Sequence, residues 1–430
     1  MQRPMMPHEI SVTPLWMQHA SMPRPATNSL PSAVDVLVIG AGYTGLAAAR
    51  ETAAAGRSTL VLDAGAFGAG CSSRNGGQVA YSIKPSFDSL QRQFGAQLAL
   101  RICREGFEAV AYLRSLAGEV DFDWRGNGCF YGAHTARHFD DMARHAENQP
   151  RGLEQTINIV RKTEQHDEIA SDFYHGGCVY PDDASVDPTR LLLALLGRAL
   201  HSGATIVDRC SVDGLERVPH GFEVLTSRGT VQARQVLLAT NGYSGPLSPW
   251  HRRRVIPIGS YQIATEPLGS ERVRALIPKG RNIVDSRRVV VYFRPSTDGE
   301  RIIFGGRAAL AEKDPIACVP RLRQMLGQIF PQLESVRVSH AWVGWVAYTF
   351  DTLPHLGQHD GVYYCMGYCG QGVPLAPYFG KRVGQQMLGL AQGCTALDGL
   401  PFPSRPYYYR KPWFLAPSVF AYRLIDALGL

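Results

Sequence analysis

The stretch Val34 to Asp63, VDVLVIGAGYTGLAAARETAAAGRSTLVLD, constrains this chain more than any other. Its opening run of Val, Leu and Ile fits a strand buried on both faces. The Ala-rich segment fits a helix, and a second apolar run ends in an acid. Between strand and helix, Gly40, Gly42 and Gly45 form G-x-G-x-x-G. Gly40 permits the tight turn, Gly42 lets backbone approach a pyrophosphate, and Gly45 lets the helix pack close to the sheet. The helix start at Tyr43 and Thr44 turns N–H groups and a positive dipole end toward an anion. Asp63 follows Gly45 by 18 residues, where a carboxylate accepts hydrogen bonds from an adenosine ribose. The pattern predicts a βαβ unit that holds a dinucleotide.

The segment at 64–78, AGAFGAGCSSRNGGQ, opens with Ala64 and is polar and glycine-rich. It cannot bury itself, so it predicts a loop whose backbone groups need partners. Ser72, Ser73 and Arg74 offer phosphate contacts. Gly76 and Gly77, flanked by Asn75 and Gln78, let backbone lie along a planar ring. A long polar loop directly after the ribose acid suits a ligand larger than one nucleotide. Two further turns belong with it. The predicted strand at 231–239 ends in the polar turn Thr240-Asn241-Gly242. The run GYCGQGV, Gly367–Val373, follows a predicted strand and opens a helix, so Gly367, Tyr368, Gly370, Gln371 and Gly372 present a second anion-facing helix start.

On these residues, with FGGR at 304–307 and GYCGQGVPLAPYFGKRVGQQMLG at 367–389, the chain resembles the flavin-dependent amine oxidoreductases of the D-amino-acid oxidase superfamily. The resemblance runs from about Trp16 to Phe414. It implies an α/β fold: a discontinuous Rossmann-like FAD-binding domain at 30–85, 175–245 and 348–395, and a β-rich α+β substrate domain at 86–174 and 246–347. A 1–29 arm anchored by Trp16 and a 396–430 tail complete it. It implies FAD, with the second glycine turn by the flavin's pyrimidine edge, where a helix start stabilises the charge of the reduced ring. Asp351 and Pro354, in TFDTLPHLG, resemble the loop that closes over the cofactor. The implied reaction passes hydride from an amine α-carbon to flavin N5, leaving an imine that hydrolyses.

Substrate contacts are expected from Tyr292 and Trp345, with Arg294 and Arg307 placed to hold a carboxylate. Some relatives carry a flavin-attaching cysteine where this chain reads GWVAYTFD, so FAD is expected to be non-covalent. The same relatives carry a lysine where this hairpin reads ERIIFGGR, which leaves the acceptor open between oxygen and a quinone or carrier. A small amine is the expected partner, of secondary or γ-glutamylated polyamine type. No metal is expected, and the oligomeric state stays open.

Composition agrees. The net charge is +7, yet basic residues are dispersed and no recognition motif appears, which argues against nucleic acid. Nine cysteines show no C-x-x-C spacing, so neither a disulfide framework nor a zinc site is expected. No apolar run approaches the roughly 18 residues of a membrane span. A cytoplasmic protein is expected. Coarser patterns predict helices at 86–117, 138–170, 191–204, 317–330 and 375–390, and a hairpin within 119–132.

Overall fold

The computed structural model describes residues 10–18, 20–22, 29–307, 313–409 and 412–428. The rest of the expected arm, 1–9, 19 and 23–28, and residues 410, 411, 429 and 430 of the tail lie outside them.

Two sheets organise the described residues. The first has the order His355–His359, Val362–Met366, Gly229–Leu238, Ala33–Ile39, Thr59–Leu62, Thr205–Val207. The Ala33–Ile39 strand lies parallel to both neighbours, Ile39 opposite Leu62 on one side and Leu238 on the other. Sheets of this kind are covered on both faces, which is why these strands read as unbroken apolar runs. The cover on one face is the helix pair Tyr43–Ala54 and Gly372–Met387. Their backbones touch: a Cβ on Gly380 would lie 2.4 Å from the Thr44 carbonyl oxygen, and one on Gly384 2.9 Å from that of Ala48. Small residues on both helices therefore draw their starting ends to one place.

The second sheet has the order Val338–Tyr348, Ile256–Thr265, Ile302–Gly306, Val291–Pro295, Asn282–Asp285, Cys129–Gly132, Gly177–Tyr180, Asn158–Val160. It is antiparallel except where Asn282–Asp285 meets Cys129–Gly132. The helix Pro315–Ile329 covers one face, burying Leu322, Leu326 and Ile329 among Phe293, Phe304 and Phe330.

Several elements depart from the sequence reading. The Ala96–Ala117 helix falls within 86–174, expected in the substrate domain. Its Ile102, Val110 and Leu113 instead pack in the core beneath the parallel sheet, with Leu46 and Phe379. The Gly177–Tyr180 strand, grouped with the first layer, pairs with Cys129–Gly132 in the second sheet. No hairpin forms within 119–132, because Cys129–Gly132 takes distant partners. The polar helix is Ala136–Glu147 only, and Asn158–Val160 is a strand. Periodicity shows which face an element buries, while its partner is chosen by packing. Trp16 is buried, donating Nε1–H to the Asn75 carbonyl at 3.0 Å and lying edge-on to Trp342.

Asp183 is buried beside the Gly128 turn, and burial pushes its carboxyl up to about 7. The native chain thus keeps a proton that the unfolded chain releases near 4. This contribution is complete below about pH 4, declines as pH rises, and is gone above about pH 7. We expect Asp183→Asn to flatten that decline, by on the order of a few kcal/mol at pH 8. Urea melts of both proteins at pH 5 and pH 8 check it; parallel pH slopes would refute it.

Candidate active site

The first sheet delivers its strand ends to one edge. Gly40 leaves the Ala33–Ile39 strand at φ +110°, and a Cβ there would meet the Ala239 carbonyl oxygen at 2.8 Å. Gly42 begins the Tyr43–Ala54 helix and offers no side-chain cap. Ser72 Oγ fills the gap, accepting the Tyr43 N–H at 3.1 Å. Asp63 Oδ2 accepts the Ala41 N–H at 2.9 Å, and Oδ1 accepts the Gly65 N–H at 3.0 Å. Burial nevertheless holds its carboxyl above the usual carboxylate range.

The loop after Asp63 is stapled by Asn75. Its Nδ2 donates to the Ser72 and Cys71 carbonyls and to Tyr43 Oη, and its Oδ1 accepts the Gly77 N–H. The Tyr43 hydroxyl in turn donates to the Pro188 carbonyl at 2.8 Å.

The second glycine turn is bent through three left-handed residues: Gly367 at φ +87°, Cys369 at +51° and Gly370 at +97°. Such a concentration of sparsely populated backbone marks a functional site more often than a plain connection. The Gly367 N–H donates to Asn241 Oδ1 at 2.9 Å, and Asn241 is itself left-handed at φ +45°. The Cys369 N–H donates to the Ala347 carbonyl. The Gly372–Met387 helix also lacks a side-chain cap. Buried Tyr368 reaches across to the first turn, its hydroxyl 2.6 Å from Thr44 Oγ1.

These turns enclose one cavity of about 690 Å³. Gly40, Gly42, Tyr43, Thr44, Asp63 and Ala64 line it from the first motif, and Ser72 and Asn75 from the loop. Thr240 and Asn241 line it as well. Tyr368, Gly370, Gly372 and Val373 line it from the second turn. Gly42 and Gly370, 328 residues apart in sequence, thus share a wall.

Other expected residues stand behind that wall. Gly45 closes the strand–helix contact. The Ser73 hydroxyl donates to the Gly68 carbonyl, and Arg74 Nε to that of Ala69, so both hold the loop rather than face the cavity. Gly77 sits against the Val186 carbonyl, and Gln78 pairs with Ser185. Gly242 leaves room for the Trp345 backbone, 2.9 Å from where its Cβ would be. Asp351 bonds His355 Nε2 through both oxygens at 3.1 Å, with Pro354 buried between them. Gln371 returns its N–H to the Tyr368 carbonyl.

Tyr292 and Trp345 lie on the second sheet and Arg307 directly follows its Ile302–Gly306 strand, all outside the cavity lining. The Tyr292 hydroxyl is 2.7 Å from Ser260 Oγ, and its ring abuts Gly76. Arg307 Nη1 donates to the Gly259 carbonyl at 3.0 Å. Arg294 is buried: it donates to the Val186 carbonyl, its guanidinium stacks on Trp16, and burial pushes it down to about 10. A carboxylate cannot reach it as the sequence reading expected. The polar loop is joined to the second sheet where Gln262 and Trp342 both donate to the Arg74 carbonyl.

The cavity is also lined by residues that the sequence reading missed: Cys71, residues 210–213, Tyr243, residues 245–247 and Cys369. Cys210–Asp213 carries no local signal. It arrives because Thr205–Val207 pairs with Leu60–Leu62 and so ends beside Asp63. Burial pushes the Cys71 and Cys369 thiols up to about 11, which keeps them protonated.

The Thr44–Tyr368 bond ties the two helix starts together. We expect Tyr368→Phe to cost about 1–3 kcal/mol by stranding the buried Thr44 hydroxyl, and Thr44→Val to add little on top of it. Thermal melts of the single and double variants check this; fully additive losses would refute it.

Comparison with known proteins places this geometry. The family model described as FAD dependent oxidoreductase, DAO, matches residues 35–386. A probable oxidoreductase OrdL of Rhizobium meliloti is 31% identical over 417 residues, covering 95% of this chain and 96% of that protein. The γ-glutamylputrescine oxidoreductase of Escherichia coli is 29% identical over 402 residues, covering 92% and 93%. Among solved structures, glycine oxidase from Geobacillus kaustophilus superposes with a TM-score of 0.72 at 22% identity, over 88% of this chain and all of that one. Two glycine-turned helix starts on one cavity, within a chain that matches along most of its length, make this protein a member of the DAO family of FAD-dependent oxidoreductases acting on amines or amino acids.

Proposed function

We propose that this enzyme oxidises a secondary or γ-glutamylated polyamine-type amine, with oxygen as acceptor and FAD held without a covalent bond. The carrying observation is the shared cavity of Gly42 and Gly370. Its volume lies within the roughly 300–1,000 Å³ usual for cofactor sites, and neither flanking helix is capped by the side chain of its own N-cap residue, Gly42 or Gln371. The Gly40–Gly45 turn and Asp63 would hold the dinucleotide end of FAD, and the Gly367–Val373 turn the other. The parallel sheet with its helices would form the FAD-binding domain, and the second sheet the substrate domain.

When bound, FAD supplies the two-electron acceptor for the α-carbon hydride, and the resulting imine hydrolyses to a carbonyl. The chain's own part is to orient and desolvate the amine. Tyr292, tied to Ser260, and Trp345, packed over Gly242, would bound the substrate space, with Arg307 at its rim. The buried cysteine thiols suit a reducing, cytoplasmic compartment. The polyamine reading is supported by the γ-glutamylputrescine oxidoreductase of Escherichia coli, similar over 92% of this chain.

The test is an anaerobic titration of the purified yellow protein with a panel of amines, followed by air. We expect γ-glutamylated diamines to bleach the flavin and air to restore it within seconds. Bleaching by a nicotinamide and by no amine would overturn the reading. Slow recovery in air with fast recovery by a quinone would move the acceptor assignment to a dehydrogenase.

A further inference from the structure

The C-terminal segment is built inside out. In the Leu415–Leu428 helix the charged residues serve the protein side. Asp426 is buried, its carboxylate accepting the Arg288 and Val289 N–H groups at 2.8 and 3.0 Å. Arg423 donates to the Arg307 carbonyl at 3.0 Å. The outward row is Pro417, Phe420, Ala421 and Leu424, without a charge. Phe420 is 61% exposed and Leu424 52%. A helix on a protein surface normally does the reverse.

The segment that leads into the helix adds exposed aromatics with amphipathic tips. Trp413 is 65% exposed, Tyr409 59% and Tyr407 53%. Tyr407 packs edge-on to Trp413 and Phe414, and Tyr408 on Phe414, so these four rings form one cluster. Cations frame it. The Arg253 guanidinium lies 4.2 Å from the Tyr409 ring centroid, and exposed Arg405 stands over Phe350. From 399 to the end the sequence holds four basic residues (Arg405, Arg410, Lys411, Arg423) and one acid, the buried Asp426.

We propose that this face docks on an anionic lipid bilayer surface, with Phe420, Leu424 and Trp413 entering the interface and Arg253 and Arg405 meeting lipid phosphates. An apolar helix face, a Trp/Tyr fringe and flanking arginines are what an interfacial anchor requires. The arginine frame decides against a second copy of the chain, since self-association would set like charges against each other. The helix has 14 residues, and no helix among the described residues is long and apolar enough to cross a membrane.

The test uses the full-length, flavin-loaded protein with vesicles of equal phosphatidylglycerol and phosphatidylcholine, and with phosphatidylcholine alone. We expect co-sedimentation with the anionic vesicles, weakened at least tenfold without phosphatidylglycerol or in 0.5 M NaCl. The pair Phe420→Ser and Leu424→Ser should weaken it at least tenfold with flavin content unchanged. Arg253→Glu with Arg405→Glu should weaken it by more than the roughly fivefold per basic residue expected from simple removal. Brominated lipid should quench the wild-type tryptophan emission, and Trp413→Phe should remove that quenching, so the test stands even where the serine pair fails to fold. Equal sedimentation with both vesicle types, or none, would overturn the proposal. So would a doubled particle mass that the serine pair halves in the absence of lipid, which would make a second copy the occupant.

Discussion

Gly370→Val should reduce turnover by 10²-fold or more while leaving a folded protein. Space is not the obstacle: a Cβ at Gly370 meets only the Tyr348 hydroxyl, at 3.8 Å. The backbone is. Gly370 sits at φ +97° immediately after Cys369 at +51°, and a β-branched residue is a genuine outlier there. Valine would relieve the strain by rotating the flanking peptides, and these set the direction of the N–H groups at the start of the Gly372–Met387 helix. Removing one oriented donor from a charge-stabilising site costs about 10²–10³ in rate. Stopped-flow reduction of the flavin under anaerobic conditions measures it, with circular dichroism as the folding control. Turnover within threefold of wild type would show that this turn only packs.

Gly45→Ala should cost the protein its flavin. One methyl group suffices, because its Cβ would stand 1.9 Å from the Gly40 carbonyl oxygen and 3.0 Å from Val38 Cγ1. No rotamer escapes a clash made by Cβ itself. The helix must lift from the strand end, yet its other side is held by the backbone contacts at Gly380 and Gly384. Overpacking of this kind costs about 1–3 kcal/mol or more, some 1–3 °C in melting temperature for a chain of this size. The same lift displaces Gly42 and Tyr43 from the cavity wall, so flavin content should fall below about a tenth. Gly197→Ala is the contrast. Gly197 lies within the Pro188–His201 helix with nothing within 4 Å of a Cβ, and the change should be neutral or stabilise by about 0.5–1 kcal/mol. An absorbance ratio at the flavin and protein bands, with thermal melts, reads both. A yellow Gly45→Ala protein would mean that strand and helix are not in contact here.

The two glycine turns were legible because each is a local device. Gly40, Gly42 and Gly45 announce a turn, a close approach and a contact at fixed spacing, and Gly367–Val373 announces a helix start. Both flanking strands were equally readable, since strands buried on two faces carry unbroken apolar runs. The roles within the polar loop were not. Ser72 and Ser73 are adjacent and alike, yet one faces the cavity and the other is buried beneath the loop, a difference set by a single backbone turn. Arg294 looked free to hold a carboxylate until Trp16, 278 residues upstream, closed over it.

The sequence by itself determined that strands, helix starts and an acid for a dinucleotide exist, because these depend on neighbours within a few residues. Only the tertiary structure decided that Gly42 and Gly370 face one cavity, that residues 210–213 line it too, and that the last helix turns its apolar row outward. Those facts depend on which surfaces pack together: Gly380 against Thr44, Thr205–Val207 against Leu60–Leu62, Asp426 against the backbone at 288–289. Such pairings are chosen by shape and buried polar satisfaction across the whole chain.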